Sequence, residues 1–155
     1  MKIIKREITG SVISKLKPGK VIIITGARRT GKTVLLKEII RLTGRPHLLL
    51  NGEDFNTALL LSKRSAENYR QIIGSKEYLF IDEAQKIPDI GTILKLMVDE
   101  LPELKILATG SSSFDLGNMT GEPLTGRKYT FNLFPLSERE FWQEENIVDR
   151  PDTLM

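Results

Sequence analysis

Eight residues constrain this chain more than any others: Gly26-Ala27-Arg28-Arg29-Thr30-Gly31-Lys32-Thr33, a G-x-x-x-x-G-K-T string. Its four fixed positions coincide by chance in roughly one chain of this length in two hundred, and the flanks lower that figure. Val21-Ile22-Ile23-Ile24 stands directly before it, short, β-branched and bounded by Gly19 and Gly26, as a buried strand should be. Val34 to Leu42 follows with helical character and is closed by Thr43-Gly44, a glycine stop. Strand, glycine-flanked loop and helix in that order form the context of a phosphate-binding P-loop.

The chemistry asks for these residue types. Gly26 and Gly31 let the backbone curl so that successive N–H groups face one anionic centre. The start of the following helix adds partial positive charge. The expected nucleotide-binding set is Gly26, Ala27, Arg28, Arg29, Thr30, Gly31, Lys32, Thr33 and Val34. Within it, Lys32 is expected at the β- and γ-phosphates and the Thr33 hydroxyl on Mg²⁺. Arg28 and Arg29 add only positive charge near the phosphates.

A second stretch, Tyr78-Leu79-Phe80-Ile81-Asp82-Glu83, is four apolar residues ending in two acids, like a Walker B strand. A buried strand delivers Asp82 to its carboxyl end, where it holds Mg²⁺ directly or through water. Glu83 points differently and is placed to orient or deprotonate an attacking water. Alone, such a run is also what a strand and a solvated turn look like; about fifty residues after a P-loop it gains specificity.

Composition excludes several classes. The 155 residues suit one domain with a sizeable core, and the absence of cysteine removes disulfides, thiolate metal sites and thiol nucleophiles. No apolar run approaches a membrane span and the first residues lack a signal-peptide core, so a cytoplasmic protein without membrane contact is expected. The net charge of +3 hides an asymmetry: residues 1–50 carry 12 Lys/Arg against 2 Asp/Glu, and residues 51–155 carry 11 against 18. A basic first third attracts nucleic acid, so DNA is a candidate partner, although a polyphosphate ligand accounts for part of the excess.

Along the chain, Ile8, Val12, Ile13 and Leu16 suggest a short amphipathic helix after a lead-in segment. His47-Leu48-Leu49-Leu50 reads as a second strand whose only histidine is structural. The polar stretch that follows, Asn51-Gly52-Glu53-Asp54, reads as a solvated turn, with a metal or a neighbouring subunit as the other destination for its carboxylates. Residues 56–73 read as one helix with a broken apolar face, and a further helix after Pro88-Asp89 carries Ile90, Ile93, Leu94, Met97, Val98 and Leu101. Leu104–Ala108 is the next strand, running into Thr109-Gly110-Ser111-Ser112-Ser113, whose hydroxyls suit either a γ-phosphate contact or plain turn chemistry. Residues 114–126 read as a mobile loop, Tyr129–Leu133 as a last strand, and Glu138–Glu145 as a helix with Phe141 and Trp142 as packing residues. The expected divisions are 1–18, an N-terminal arm or helix; 19–135, the nucleotide-binding core; and 136–155, the start of a helical region. Alternation of strands and helices predicts an α/β sandwich around a parallel sheet.

The set GARRTGKT, YLFIDEAQ, ILATGSSS, LTGRKY and FPLSEREF, in that order, resembles the bacterial and archaeal AAA-type ATPases in which such a domain precedes a C-terminal domain of unknown function. The resemblance spans roughly residues 3–142. It implies a three-layer αβα P-loop NTPase of the additional-strand type, with a five-stranded parallel sheet in the order 5-1-4-3-2. It implies ATP and Mg²⁺ as cofactors, Lys32 and Thr33 as Walker A, Asp82 and Glu83 as Walker B, and Ser111 or Thr109 as sensor 1. Arg127 resembles the position from which such proteins present an arginine finger to a neighbouring subunit, hence a homo-oligomer; the other reading is a surface arginine paired with an acid. The family's helical lid and C-terminal domain are missing from these residues, so a truncated chain is expected.

Three activities follow from these readings. The first is Mg²⁺-dependent ATP hydrolysis, with Glu83 activating water and Lys32, Ser111 and Arg127 acting on the phosphates. The second is a non-hydrolysing, ATP-gated switch or scaffold associated with nucleic acid. The third, a P-loop kinase, is disfavoured because the acids directly follow the third strand and no Arg-rich lid is evident. No Asn-Lys-x-Asp motif for guanine occurs.

Overall fold

The computed structural model describes residues 8–27, 31–111 and 124–134. The lead-in 2–7, Arg28, Arg29 and Thr30, most of the 114–126 loop and the expected helix Glu138–Glu145 lie outside the described residues.

Five parallel strands form one sheet: β1 (Val21–Gly26), β2 (His47–Asn51), β3 (Tyr78–Asp82), β4 (Lys105–Ser111) and β5 (Lys128–Leu133). Their order is β2-β3-β4-β1-β5, which is the expected 5-1-4-3-2 read from the other edge. The central strands are apolar runs because both of their faces are covered. Along β1, Val21 and Ile23 join one core layer, with Tyr69, Ile93 and Met97, while Ile22 and Ile24 join the other, with Val12, Leu35 and Ile39. Each such fully buried Leu or Ile contributes about 1.5–3 kcal/mol relative to exposure. Met97 is therefore a core residue, as expected.

Helices α1 (Thr9–Lys15) and α2 (Lys32–Thr43) cover one face; α3 (Phe55–Ser62), α4 (Ala66–Ile73) and α5 (Ile90–Glu100) belong with the other. Helix α2 ends at Gly44 in the left-handed region, its N–H returning to the Ile40 carbonyl. That is the stop its sequence predicts.

The structure corrects the single helix expected over 56–73. Lys63 adopts an extended backbone, and the Ser65 hydroxyl accepts from the Asn68 N–H to start α4 afresh. The Asn68 amide then donates to the Leu60 and Lys63 carbonyls at the end of α3. Two local caps outweigh one continuous helix because they satisfy terminal groups that a break would otherwise leave open. Tyr69 ties the pair together by donating to the Leu61 carbonyl, 2.9 Å away, and burial raises its hydroxyl above the usual tyrosine range.

Strand β4 runs to Ser111 and β1 to Gly26, each farther than the apolar pattern reached. Leu124–Gly126 forms a turn with Leu124 buried, anchoring the end of the expected loop. Between β3 and α5 lies a 3-10 turn, Ala84–Lys86, that the sequence reading did not anticipate.

Candidate active site

Because the strands are parallel, all their carboxyl ends meet at one edge of the sheet, where α/β folds collect their ligands. Register places Gly26 of β1 beside Ser111 of β4, and Asn51 of β2 beside Asp82 of β3. The Thr25 hydroxyl donates to the Asn132 side-chain oxygen on β5, 2.5 Å away, pinning the edge strand next to the loop.

The turn from β1 into α2 depends on Gly31, whose φ of 88° places it in the left-handed region at the cap of the helix. It has no side chain to cap the first N–H groups of α2. An anionic ligand does that work well. Lys32, on the first turn, is 6% exposed, and its ammonium donates to the Gly26 carbonyl at 2.9 Å and the Ala27 carbonyl at 3.1 Å. Among the described residues it forms no ion pair. A buried cation held by two carbonyl dipoles is electrostatically suited to a polyanion.

Asp82 is the hub of the site. It is buried, and its Oδ2 accepts from the Thr33 hydroxyl at 2.9 Å across 49 residues of sequence. Its Oδ1 accepts from the Thr109 hydroxyl at 2.5 Å and from the Glu83 N–H at 3.2 Å. The same Glu83 N–H reaches Thr109 Oγ1 at 3.1 Å. Thr109, fully buried, is thus the β4 hydroxyl that meets Asp82; Ser111 shares its side of the strand two residues closer to the end. Of the two hydroxyls the sequence offers on β4, Thr109 is the one bonded to Asp82, a contact set by strand register.

Glu83 leaves the strand with φ 53° and ψ 45°, a left-handed conformation for a non-glycine residue. Such a conformation persists only where its surroundings hold it, and it is enriched at functional sites. The surroundings here are visible. Its N–H is fixed as above, its carboxylate Oε2 accepts from Gln85 Nε2 at 2.7 Å, and Gly52 presses on its carbonyl.

Gly52 is a residue that sequence reading treated as plain turn. Its N–H donates to the Asp82 carbonyl at 2.7 Å, and a Cβ built on it would sit 2.1 Å from the Glu83 carbonyl oxygen. The only sequence signal was a glycine immediately after a strand. Gly52→Ala is expected to destabilise the fold by about 1–3 kcal/mol through overpacking, and to displace Glu83. Urea unfolding checks the first effect, and a midpoint equal to that of the parent would refute it.

Other candidates lie elsewhere. The Asp54 carboxylate caps α3 by accepting from the Asn56 N–H, and Glu53 is exposed. His47 packs edge-on against the Phe80 ring, a structural role as expected. Arg127 precedes β5 at the opposite end of the sheet, roughly 17 Å or more from the loop at the rise of a strand. It pairs there with Asp99, Nε to Oδ1 at 2.8 Å, so the structure does not bring it to this chain's own Lys32. At that same end Lys15, Lys17, Lys20 and Tyr129 line an open groove of about 390 Å³. The Lys15 and Lys20 ammonium groups lie 5.2 and 4.7 Å from the Tyr129 ring centre.

Among the described residues no group of three or more His, Asp or Glu side chains is placed to cage a metal. The donors at the site are one hydroxyl, Thr33, and one carboxylate, Asp82. That oxygen-only pair fits Mg²⁺, which takes one or two protein oxygens and fills its octahedron with water and phosphate.

Fold and site together define the class: a P-loop NTPase, with its glycine loop after β1 and its acids at the end of β3. The chain belongs to the AAA-domain family, whose model matches residues 18–142. It is 32% identical over 143 residues to an uncharacterized protein of Mycobacterium tuberculosis, covering 90% of this chain and 31% of that one. An uncharacterized protein of Methanocaldococcus jannaschii is 32% identical over 150 residues, covering 94% and 32% respectively. The chain thus spans about a third of the length of these relatives. Among solved structures it is similar to the replication initiator DnaA bound to AMPPCP and single-stranded DNA, with TM-score 0.60, 19% identity, and 96% and 53% coverage. It is also similar to Pif1 helicase from Candida albicans, with TM-score 0.62, 16% identity, and 99% and 46% coverage. No helix among the described residues is long and apolar enough to cross a membrane.

Proposed function

We propose that this chain binds ATP with Mg²⁺ and hydrolyses it. The observation that carries the reading is the junction of Thr33 with Asp82, which joins the loop–helix unit to the acidic end of β3 beside a buried, carbonyl-held Lys32. The loop amides, the start of α2 and Lys32 bind the phosphates; Thr33 and Asp82 would hold Mg²⁺, which would supply charge neutralisation at the phosphates. Glu83 accepts a proton from water as the water oxygen bonds to the γ-phosphorus and the bond to the β-phosphate oxygen breaks, releasing ADP and phosphate. Thr109 and Ser111 are candidates for sensing the γ-phosphate from β4. Arg127 would act only on a neighbouring subunit, after leaving Asp99. The test is equilibrium binding of ATP and ADP with and without Mg²⁺, beside phosphate release. Binding with release supports the proposal. Binding without release favours the ATP-gated switch, and absence of binding rejects both.

Nucleic acid is proposed as a partner at the groove around Tyr129. Residues 8–37 contain no carboxylate, so Lys15, Lys17 and Lys20 gather without local neutralisation from their own segment. The measurement is oligonucleotide anisotropy across a salt series, with Lys15, Lys17 and Lys20 all changed to Ala. Loss of three phosphate contacts is expected to flatten the log–log salt slope by about 2 for single strands. An unchanged slope would remove the groove from consideration.

A further inference from the structure

The geometry points to Gln85 as a positioning residue for hydrolysis, a role that rests on the reading of Glu83 as the base. Gln85 sits on the 3-10 turn that follows Glu83, and its Nε2 donates to Glu83 Oε2 at 2.7 Å. Its other amide atom, Oε1, is buried and has no hydrogen-bond partner among the described residues. Turning the amide over would give that oxygen no relief at Glu83, because it would set an acceptor against a carboxylate oxygen. The orientation is therefore dictated by Glu83, and the orphaned carbonyl is its consequence.

A buried acceptor without a partner is a feature that the fold alone would be better without; an apolar side chain of the same length avoids it. What the amide supplies instead is an N–H on one oxygen of the Glu83 carboxylate, which fixes how the carboxylate is turned. The Glu83 backbone is already held by Asp82, Thr109 and the close approach of Gly52. Gln85 adds the remaining restraint, on the side-chain torsions, and so selects one direction for proton acceptance.

The test compares the parent, Gln85→Met, Glu83→Gln and the double variant in the full chain, by ATP turnover, ATP binding and thermal unfolding. Gln85→Met is expected to lower kcat about 10- to 100-fold through loss of orientation, with KM unchanged and a thermal midpoint no lower than the parent's. In the Glu83→Gln background the same change is expected to cost nothing further, since the group it positions is gone. Gln85→Asn, too short to reach Glu83, is expected to behave like Gln85→Met in turnover. A Gln85→Met protein with parental kcat, alongside an inactive Glu83→Gln, would overturn the role of Gln85 and leave the base in place. A lowered thermal midpoint with kcat and KM both impaired would make Gln85 structural and overturn it too. A Glu83→Gln protein that turns over at the parental rate would overturn the base itself and this role with it.

Discussion

Glu83→Gln is expected to lower ATP turnover by about 10²–10⁴-fold, the usual contribution of a positioned general base, with ATP affinity retained. The physical reason lies in how the residue is held. Its main-chain N–H, bound by Asp82 Oδ1 and Thr109 Oγ1, fixes the left-handed turn and is untouched by the substitution. The glutamine is isosteric, so the loop, Lys32 and the Thr33–Asp82 junction keep their geometry. What is lost is the capacity to take a proton from water. Phosphate release under saturating ATP, with binding followed by a fluorescent analogue, separates the two quantities. Equal turnover in variant and parent would show that another group activates the water.

The second large effect is at Asp82, where stability and metal dependence can be pulled apart. Asp82→Ala strands the fully buried Thr109 hydroxyl and removes the acceptor of Thr33. Leaving a buried donor unpaired costs about 1–3 kcal/mol, so a lower unfolding free energy is expected, together with loss of Mg²⁺-stimulated nucleotide binding. Asp82→Asn keeps one oxygen and the shape of the side chain. The threonine hydroxyls can rotate to meet an amide, so stability close to the parent's is expected. The negative charge that a divalent cation needs is nevertheless gone. Unfolding curves and ATP titrations at fixed Mg²⁺ therefore diverge for Asn and converge for Ala. Retained Mg²⁺ dependence in Asp82→Asn would take the metal away from this carboxylate.

Much of this architecture was legible from short-range pattern. The glycine loop between a β-branched run and a glycine-stopped helix, and the apolar run ending in Asp82-Glu83, placed both halves of the site on their elements. Sheet order came from resemblance and is reproduced by the pairing of β1 with β4 and β5. The division of residues 56–73 into two helices was present in outline, because Ser65 and Asn68 form a capping pair. A broken apolar face carries no sign of whether a chain bends or merely weakens there.

The contacts that Thr109, Gly52 and Gln85 make could not be read from pattern. Each depends on a contact across the sheet or across a turn: a hydroxyl 27 residues from its acid, a missing Cβ against a carbonyl, an amide on a carboxylate. Arg127 carried two readings in the sequence, a finger toward a neighbouring subunit and a surface arginine paired with an acid. The Asp99 pair at the sheet end opposite Lys32 matches the second and leaves the first to an assembly of subunits. By itself the sequence determined which residues could carry phosphate and metal chemistry, because loop conformation and strand burial are dictated by neighbours along the chain. Only the tertiary structure decided which side chains restrain Asp82 and Glu83, because those restraints are set by strand register and by close approach, and neither has a local signature.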